Sequence, residues 1–529
     1  LRVAVPDDLP QVALSCEHHS GAVLRLRLER GGLRVSVTFF LVDPDALAAR
    51  VRVAGAGVDA ALLSALVEYH RDLGATGLHE LGLYGRDEGG VLVLGSHPGG
   101  QVLALGAQGG ERVATAVLDA PDAWLGWMAE AGPLPPGRNA DDASTSSSIA
   151  ALPSVAEGPA AGRRRASLAG ALLLRLAEAG SGSWSVDVVL ARGASTGEAL
   201  RRLDAGLRSA GRALAGKIRA DHRFWRGAAR LEGDWPPAWR RGWVYDVETL
   251  RMVVREPIGI YRGVWDGMQV QVPRLVLAEA AMDALALSYV DPYLAKAVLA
   301  NTFRDAIAPN VPCTREDGSV NMVSADGAEC GTAPSWGHPV YCAYLMERRL
   351  DDRGWLAEVY PRLSTYLAWW LRHRSDGQGW LHYRCGWESG QDETPRFGER
   401  PHGGSPVDHL RPVELHASVA QGARLLSAMA APLGLDREVR RWSEVAQEYA
   451  ARTRALWWAE ERRFADWDAR AGCWVRHADP MQLAPAMAQV ATEEQREPLV
   501  AFGRALPPHA GAWPPLAWPP VAWTVFEAL

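Results

Sequence analysis

Cysteine is scarce in this 529-residue chain: Cys16, Cys313, Cys330, Cys342, Cys385 and Cys473 are the only six. None forms a C-x-x-C pair, which excludes a disulfide framework and a zinc ribbon. Reduced, mostly buried thiols are the expectation, with a Cys313–Cys330 loop bridge as the exception, and a cytoplasmic address follows from that usage. Long hydrophobic runs are missing too. No stretch of 18 apolar residues occurs, so no transmembrane helix and no membrane partner are expected. Leu1 to Pro10 holds Asp7 and Asp8 and lacks the basic-then-apolar layout of a signal peptide, although a chain that opens on Leu leaves a removed leader possible. Positive charge is not in excess: the formal net charge of -6 argues against a nucleic-acid groove. Spaced metal ligands are absent as well. His18 and His19 are adjacent, and His402, His409 and His416 lie seven apart without companion ligands, so neither a metal nor a cofactor is expected.

What is present divides the chain in two. Apolar residues at 48% and charged residues at 22% suit a globular protein with a sizeable core. Of its 22 tryptophans, only Trp124, Trp127 and Trp184 precede residue 220. The early part instead alternates apolar and polar residues, as in Ala22–Leu28, Leu33–Phe39 and Gly90–Gly95. Gly-Gly pairs at 31–32, 89–90, 99–100 and 109–110 punctuate it as hairpin turns would. Strand character resumes at Leu168–Leu174 and Trp184–Leu190, beyond a Pro-, Ser-, Ala- and Gly-rich excursion over 133–166. These features predict a β-sandwich-like accessory domain over 1–195 interrupted by a flexible loop, and a linker helix over 196–230. Helical patterning then continues from 231 to 529. Expected helices are Pro236–Val254, Pro273–Val290, Asp291–Ile307, Pro339–Asp352, Tyr360–His373, Val413–Leu433, Arg437–Ala459 and Met481–Val490, several opened by Asp or Pro. Their connections are rich in Trp, Gly, His and carboxylates, where a binding site would be placed on a helical scaffold.

The segment from Gly386 to Gly398 concentrates chemistry. It holds Trp387, Glu388, Asp392, Glu393, Arg396 and Phe397 between glycines. Hydrolysis of a glycosidic bond needs one protonated carboxyl beside the leaving oxygen and a second carboxylate to activate water. An aromatic platform for the sugar and polar groups for its hydroxyls complete the requirement. This loop can supply the first carboxyl, the platform and an orienting guanidinium, but it is too short to flank one sugar ring on both faces.

The run Trp387-Glu388-Ser389-Gly390-Gln391-Asp392 resembles the Glu-Ser-Gly-x-Asp loop of glycoside hydrolase family 63, and most closely its mannosylglycerate-hydrolase-like branch. Three further segments match in the same order: Tyr261 to Met268 with its Trp265-Asp266 pair, Ala333 to Val340, and Pro412 to Ala417. The resemblance covers roughly 230–529. It implies a mostly α chain with an N-terminal β-sandwich-like domain and an (α/α)6 toroid barrel. It also implies an inverting hydrolase of an α-glucoside or α-mannoside, with Asp392 as general acid and a carbohydrate as its partner.

Trp265, Asp266, Trp336, His338, Trp387, Glu388 and Arg396 are the candidate substrate-binding residues. Each has a plainer reading beside it. Trp265 and Asp266 could be a packed tryptophan and a helix cap, and Trp336 with His338 could be a structural loop. Glu388 either binds ligand or fixes Arg396, and Glu414 reads as a helix-start carboxylate. The relatives' second catalytic carboxylate lies in a late Glu-x-Tyr/Phe-x-Pro stretch without a counterpart here. The Trp518-to-Leu529 segment resembles the helix before that stretch, so the expectation is a barrel lacking its last helices and a base beyond residue 529; Glu527 is not assigned. Alternative readings are a carbohydrate-binding scaffold derived from such a hydrolase and an (α/α)6 sugar phosphorylase.

Overall fold

Gly-Gly corners and apolar alternation act first, because each turn reverses the chain and each alternating strand leaves one apolar face to bury. The computed structural model describes residues 13–30, 32–55, 61–72, 82–97, 99–118, 165–176, 183–268, 273–398, 402–506 and 519–529. Two compact units divide at residue 227.

In the first unit, β1 (Ala13–His19), β2 (Val23–Arg30), β3 (Leu33–Asp43) and β4 (Ala46–Ala54) run as a meander. β5 (Ala61–Asp72), β6 (Gly82–Glu88), β7 (Val91–His97), β8 (Val102–Gln108) and β9 (Gly110–Leu118) follow, then β10 (Arg165–Leu176) and β11 (Ser183–Gly193). An eight-stranded antiparallel sheet has the order β1-β2-β3-β4-β11-β8-β7-β6, and a three-stranded sheet the order β5-β10-β9. Of the glycines expected at hairpin corners, Gly32, Gly89, Gly90, Gly99, Gly100 and Gly109 adopt left-handed backbone, with φ of 62° and 100° at Gly89 and Gly90, whereas Gly110 opens β9. Trp184, Val186, Leu92 and Leu94 of the large sheet pack on Leu168, Leu172 and Tyr69 of the small one. The excursion over 133–166 lies outside the described residues up to 164; Arg165 and Ala166 open β10.

The helix expected as a linker is α1 (Thr196–Gly227). It packs on the sheet, with Ala199, Leu203, Ala210 and Leu214 set against Phe40, Ala48, Val93 and Val189. It thus belongs to the first unit, and it covers the large sheet's second face, since a sheet apolar on both sides needs two partners.

The second unit alternates inner and outer helices in chain order. α2 (Pro237–Val253), α4 (Pro292–Asp305), α6 (Arg353–His373), α8 (Asp436–Ala455) and α10 (Glu493–Ala505) flank an inner series. The inner members α3 (Leu277–Leu287), α5 (Pro339–Leu350), α7 (Val413–Ala430), α9 (Ala484–Met487) and α11 (Pro519–Ala528) touch in succession. Sequence decides the layer. α7 is apolar or small nearly all round and buries 15 of its 18 residues, whereas α8 carries charge on most of its surface and buries Trp442, Tyr449 and Thr453. Asp291 caps α4 through Leu294 N at 3.0 Å and Asp352 caps α6 through Trp355 N at 3.0 Å. An antiparallel β domain followed by a helical barrel is the architecture expected.

Several helical expectations are corrected: the helix expected from Tyr360 begins at Arg353, and the one expected to reach Ala459 ends at Ala455. The helix expected from Pro273 begins at Leu277, because Arg274 and Leu275 pair with Met268 and Thr314 as extended backbone. The one expected over Met481–Val490 is a capped 3-10 turn, Pro480–Leu483, followed by the single turn of α9. The cysteine expectation also changes: Cys330 is bonded to Cys385, and Cys313 is a free buried thiol. Folding brings Cys385, 55 residues away in sequence, against the loop that carries Cys330. Among the described residues no helix is long and apolar enough to cross a membrane.

Candidate active site

The Asp392 loop is built as two tight turns tied down on both sides. Gly386–Ser389 forms a 3-10 turn closed by Ser389 Oγ donating to Gly386 O at 2.7 Å. Gly390 then turns left-handed, with φ of 73°. A Cβ there would stand 2.5 Å from the Trp336 ring, so the loop can lie on that indole only with glycine at this position. Ala333 N donates to Glu388 O at 2.9 Å, which fastens the turn to the segment before α5.

Glu388 is fully engaged in this scaffold. It receives a bidentate contact from Arg374, at 2.6 Å from Nη2 and 2.9 Å from Nε, and the backbone N–H groups of Arg384 at 2.7 Å and Gly331 at 3.3 Å. An ion pair with Arg396 was one of the two readings of Glu388, and the structure gives that guanidinium to others. Arg396 Nη1 donates to Glu414 Oε2 at 2.8 Å and Asp466 Oδ2 at 2.9 Å, while Nη2 donates to Gln391 Oε1 at 2.6 Å. Tyr383 Oη also donates to Glu414, at 2.7 Å, and Gln391 and Thr394 donate to Asp479 at 3.1 and 3.0 Å. One buried cation facing Glu414, Asp466 and Asp479 leaves the cluster short of positive charge. Burial pushes the Asp466 carboxyl up to about 7 against the pull of Arg396. Charge pairs this deep hold geometry, because removing one partner strands the others. Arg396 and Glu388 therefore position the loop from within the protein. Glu414 stands at the first turn of α7, as its sequence position suggested.

Asp392 stays out of both networks. It is half-buried, and burial together with the neighbouring Glu393 charge raises its carboxyl to about 6; Arg274 and His402 pull the other way. Trp387 in the same loop is half-buried, with its ring 5.7 Å from His402, a side chain whose charge also acts on Asp392.

The other expected binding residues lie deeper than their types suggested. Trp265 is 1% exposed and stacks on Tyr261 at 4.0 Å, with Nε1 donating to Glu256 O at 3.2 Å. It is core, not a sugar wall: an indole gains more by leaving water here than an open platform would allow. Trp336 is buried under Gly390. His338 is buried with φ of 46°, shares a 2.8 Å hydrogen bond with Thr524, and is pushed by burial down to about 4, hence neutral. The histidines spaced seven apart have separate surroundings: His416 accepts from Leu381 N at 2.9 Å, while His409 lies 4.0 Å from Asp468. Among the described residues no group of three or more His, Cys, Asp or Glu could hold a metal ion.

Asp266 is buried, while Asp283 on α3, whose carboxyl it meets, is half-buried. Glu279, one turn earlier, feels the charges of both Asp283 and Asp392 and is raised by burial to about 8. Glu279 and Asp283 were missed from the sequence. Their i, i+4 spacing on an Ala-rich helix was the available signal, and it reads equally well as an ordinary polar stripe.

Residues 272–515 match the family described as the mannosylglycerate hydrolase MGH1-like glycoside hydrolase domain. No curated protein sequence matches the chain. Among solved structures, it is similar to a bacterial glucoamylase complexed with acarbose, at 10% identity and a TM-score of 0.52, over 93% of this chain and 69% of that one. That likeness is one of fold. A family 63 mannosylglycerate hydrolase from Thermus thermophilus in complex with glucose aligns at 18% identity and a TM-score of 0.44, over 54% of this chain and 85% of that one.

Proposed function

On the match of residues 272–515 to the MGH1-like glycoside hydrolase domain, we propose that the chain is an inverting glycosidase of α-glucosides or α-mannosides with Asp392 as its general acid. The observation that carries this reading is the contrast between Asp392 and the acidic side chains around it. Glu388, Glu414, Asp466 and Asp479 are locked to arginines or backbone donors. Asp392 is half-buried, free of those networks and held to about 6, which keeps a proton available near neutrality. In the reaction it would donate that proton to the leaving glycosidic oxygen while water attacks the opposite face of the ring. Trp387 supplies an apolar surface beside it, and the Arg396 and Arg374 networks hold the loop so that the carboxyl needs no reorganisation.

The test is Asp392→Asn, assayed for release of free sugar from aryl α-glucosides and α-mannosides. Loss of about 10²–10⁴-fold in kcat is expected for a missing general acid. Undiminished turnover would remove Asp392 from the role. Retained anomeric configuration in the first-formed product would refute inversion.

A further inference from the structure

The β unit carries a groove that folding alone does not call for. On the sheet face beneath α1, one cross-strand row is Val23, Phe40, Ala48 and Val189, all apolar and packed on the helix. Side chains return to the same face every second residue, so the next row is Arg25, Thr38, Arg50 and Asp187. The row after it is Arg27, Ser36, Arg52 and Ser185. Against these polar rows α1 sets Gly211 and Ala215, small residues one turn apart, beside Leu214 and Ile218. The helix therefore does not fill the space, and a cavity of about 260 Å³ lies between it and the arginines.

Edge protection does not account for these charges, because β2, β3 and β4 are interior to the sheet order. Ion pairing accounts for only part of them. Arg50 donates to both oxygens of Asp187 at 2.7 Å, and Arg27 pairs with Glu17 at 3.0 Å. Asp221, one turn beyond Ile218, accepts from Ser20 Oγ at 2.6 Å and lies 3.3 Å from His18. Among the described residues Arg25 and Arg52 have no carboxylate partner; Arg25 Nε donates to Thr38 Oγ1 at 3.3 Å. Two guanidiniums left unneutralised beside one cavity, in a chain of net charge -6, select an anion. They stand two strands apart, about 10 Å across the sheet, with the hydroxyls of Ser36 and Thr38 between them on β3. A phosphate group matches this arrangement better than a carboxylate does, since it brings about two charges and three acceptor oxygens to the guanidinium forks and hydroxyls. The volume is at the small end for ligand pockets, which run to roughly 300–1,000 Å³.

We propose that this groove binds a phosphate group, free or carried by a small molecule, through Arg25 and Arg52 with the Ser36 and Thr38 hydroxyls. The test is calorimetric titration of the full chain with inorganic phosphate, glycerol 3-phosphate, acetate and glycerol. Both phosphates should bind more tightly than acetate, and glycerol should not bind. Arg25→Gln and Arg52→Gln should each weaken phosphate binding about 10- to 100-fold, the range of a hydrogen bond to a charged group. Ala215→Phe fills the cavity from the helix side with every arginine in place, and it should abolish binding; it keeps the test intact should a sheet variant fail to fold. Tighter binding of glycerol 3-phosphate than of inorganic phosphate would identify a phosphate ester as the occupant, and the reverse order free phosphate. No measurable binding of either phosphate would overturn the proposal, as would acetate binding more tightly than both or affinities unchanged by all three substitutions. None of these outcomes bears on sugar release, so the glycosidase reading stands or falls separately.

Discussion

Asp392 and Glu388 sit four residues apart in one loop and are given opposite work by their surroundings. Glu388 receives four donors and is fully buried, so it is a fastening. Asp392 keeps its carboxyl at the edge of the protein, where partial desolvation and Glu393 lift it to about 6. A general acid works only while protonated, and the protonated fraction falls as pH rises through that value. The expected profile of kcat/KM is a plateau on the acid side that declines tenfold per pH unit above about 6. Initial rates between about pH 4.5 and 8.5 check this, and a rate that climbs through pH 6 would contradict it. At this scale the sequence was readable by residue type but not by depth. Trp265, Trp336 and His338 have the chemistry of a binding wall, and only the packing of Tyr261, Gly390 and Thr524 around them shows that they are interior.

The loop as an element depends on one backbone conformation. Gly390 combines a left-handed φ of 73° with a Cβ position 2.5 Å from an indole, so Gly390→Ala must strain the turn and push Trp336 aside together. A loss of about 1–3 kcal/mol is expected from the backbone alone, read as a lower denaturation midpoint at unchanged slope, and accompanied by loss of turnover because Asp392 moves with the turn. Full stability and activity in this variant would show that the loop adapts. This element was legible because its constraint is local: Ser-Gly followed by Gln-Asp between two helices specifies the turn wherever the loop is placed. α3 was not. Its two carboxylates look like a solvated stripe until the neighbouring inner helices close around it and turn that face inward. α1 was misread for a related reason, since its alternating faces suit a free connector as well as a lid on the large sheet.

Taken as a whole, the molecule buries titratable groups of both kinds, and their pH effects oppose each other. His338 and His416 are pushed down to about 4, so they contribute stability that is present above their ordinary value of 6.5 and lost as pH falls towards 4. Glu279 and Asp466, raised to about 8 and 7, contribute stability that is complete below the ordinary carboxylate range and lost as pH rises through those values. Above pH 6.5 the histidines are neutral in both folded and unfolded chains, leaving the carboxyls alone. The melting temperature should therefore fall between about pH 6.5 and 8.5, and Glu279→Gln should flatten that decline. Calorimetry across the interval decides, and a rising Tm would refute it. The bridge between Cys330 and Cys385 adds a constraint that no contact in the folded state reveals. A cross-link spanning 55 residues removes chain entropy worth about 4 kcal/mol from the unfolded ensemble. Because one end lies just before the Asp392 loop and the other just before α5, an opened site stays a closed ring of chain: its two walls can separate, but they cannot diffuse apart.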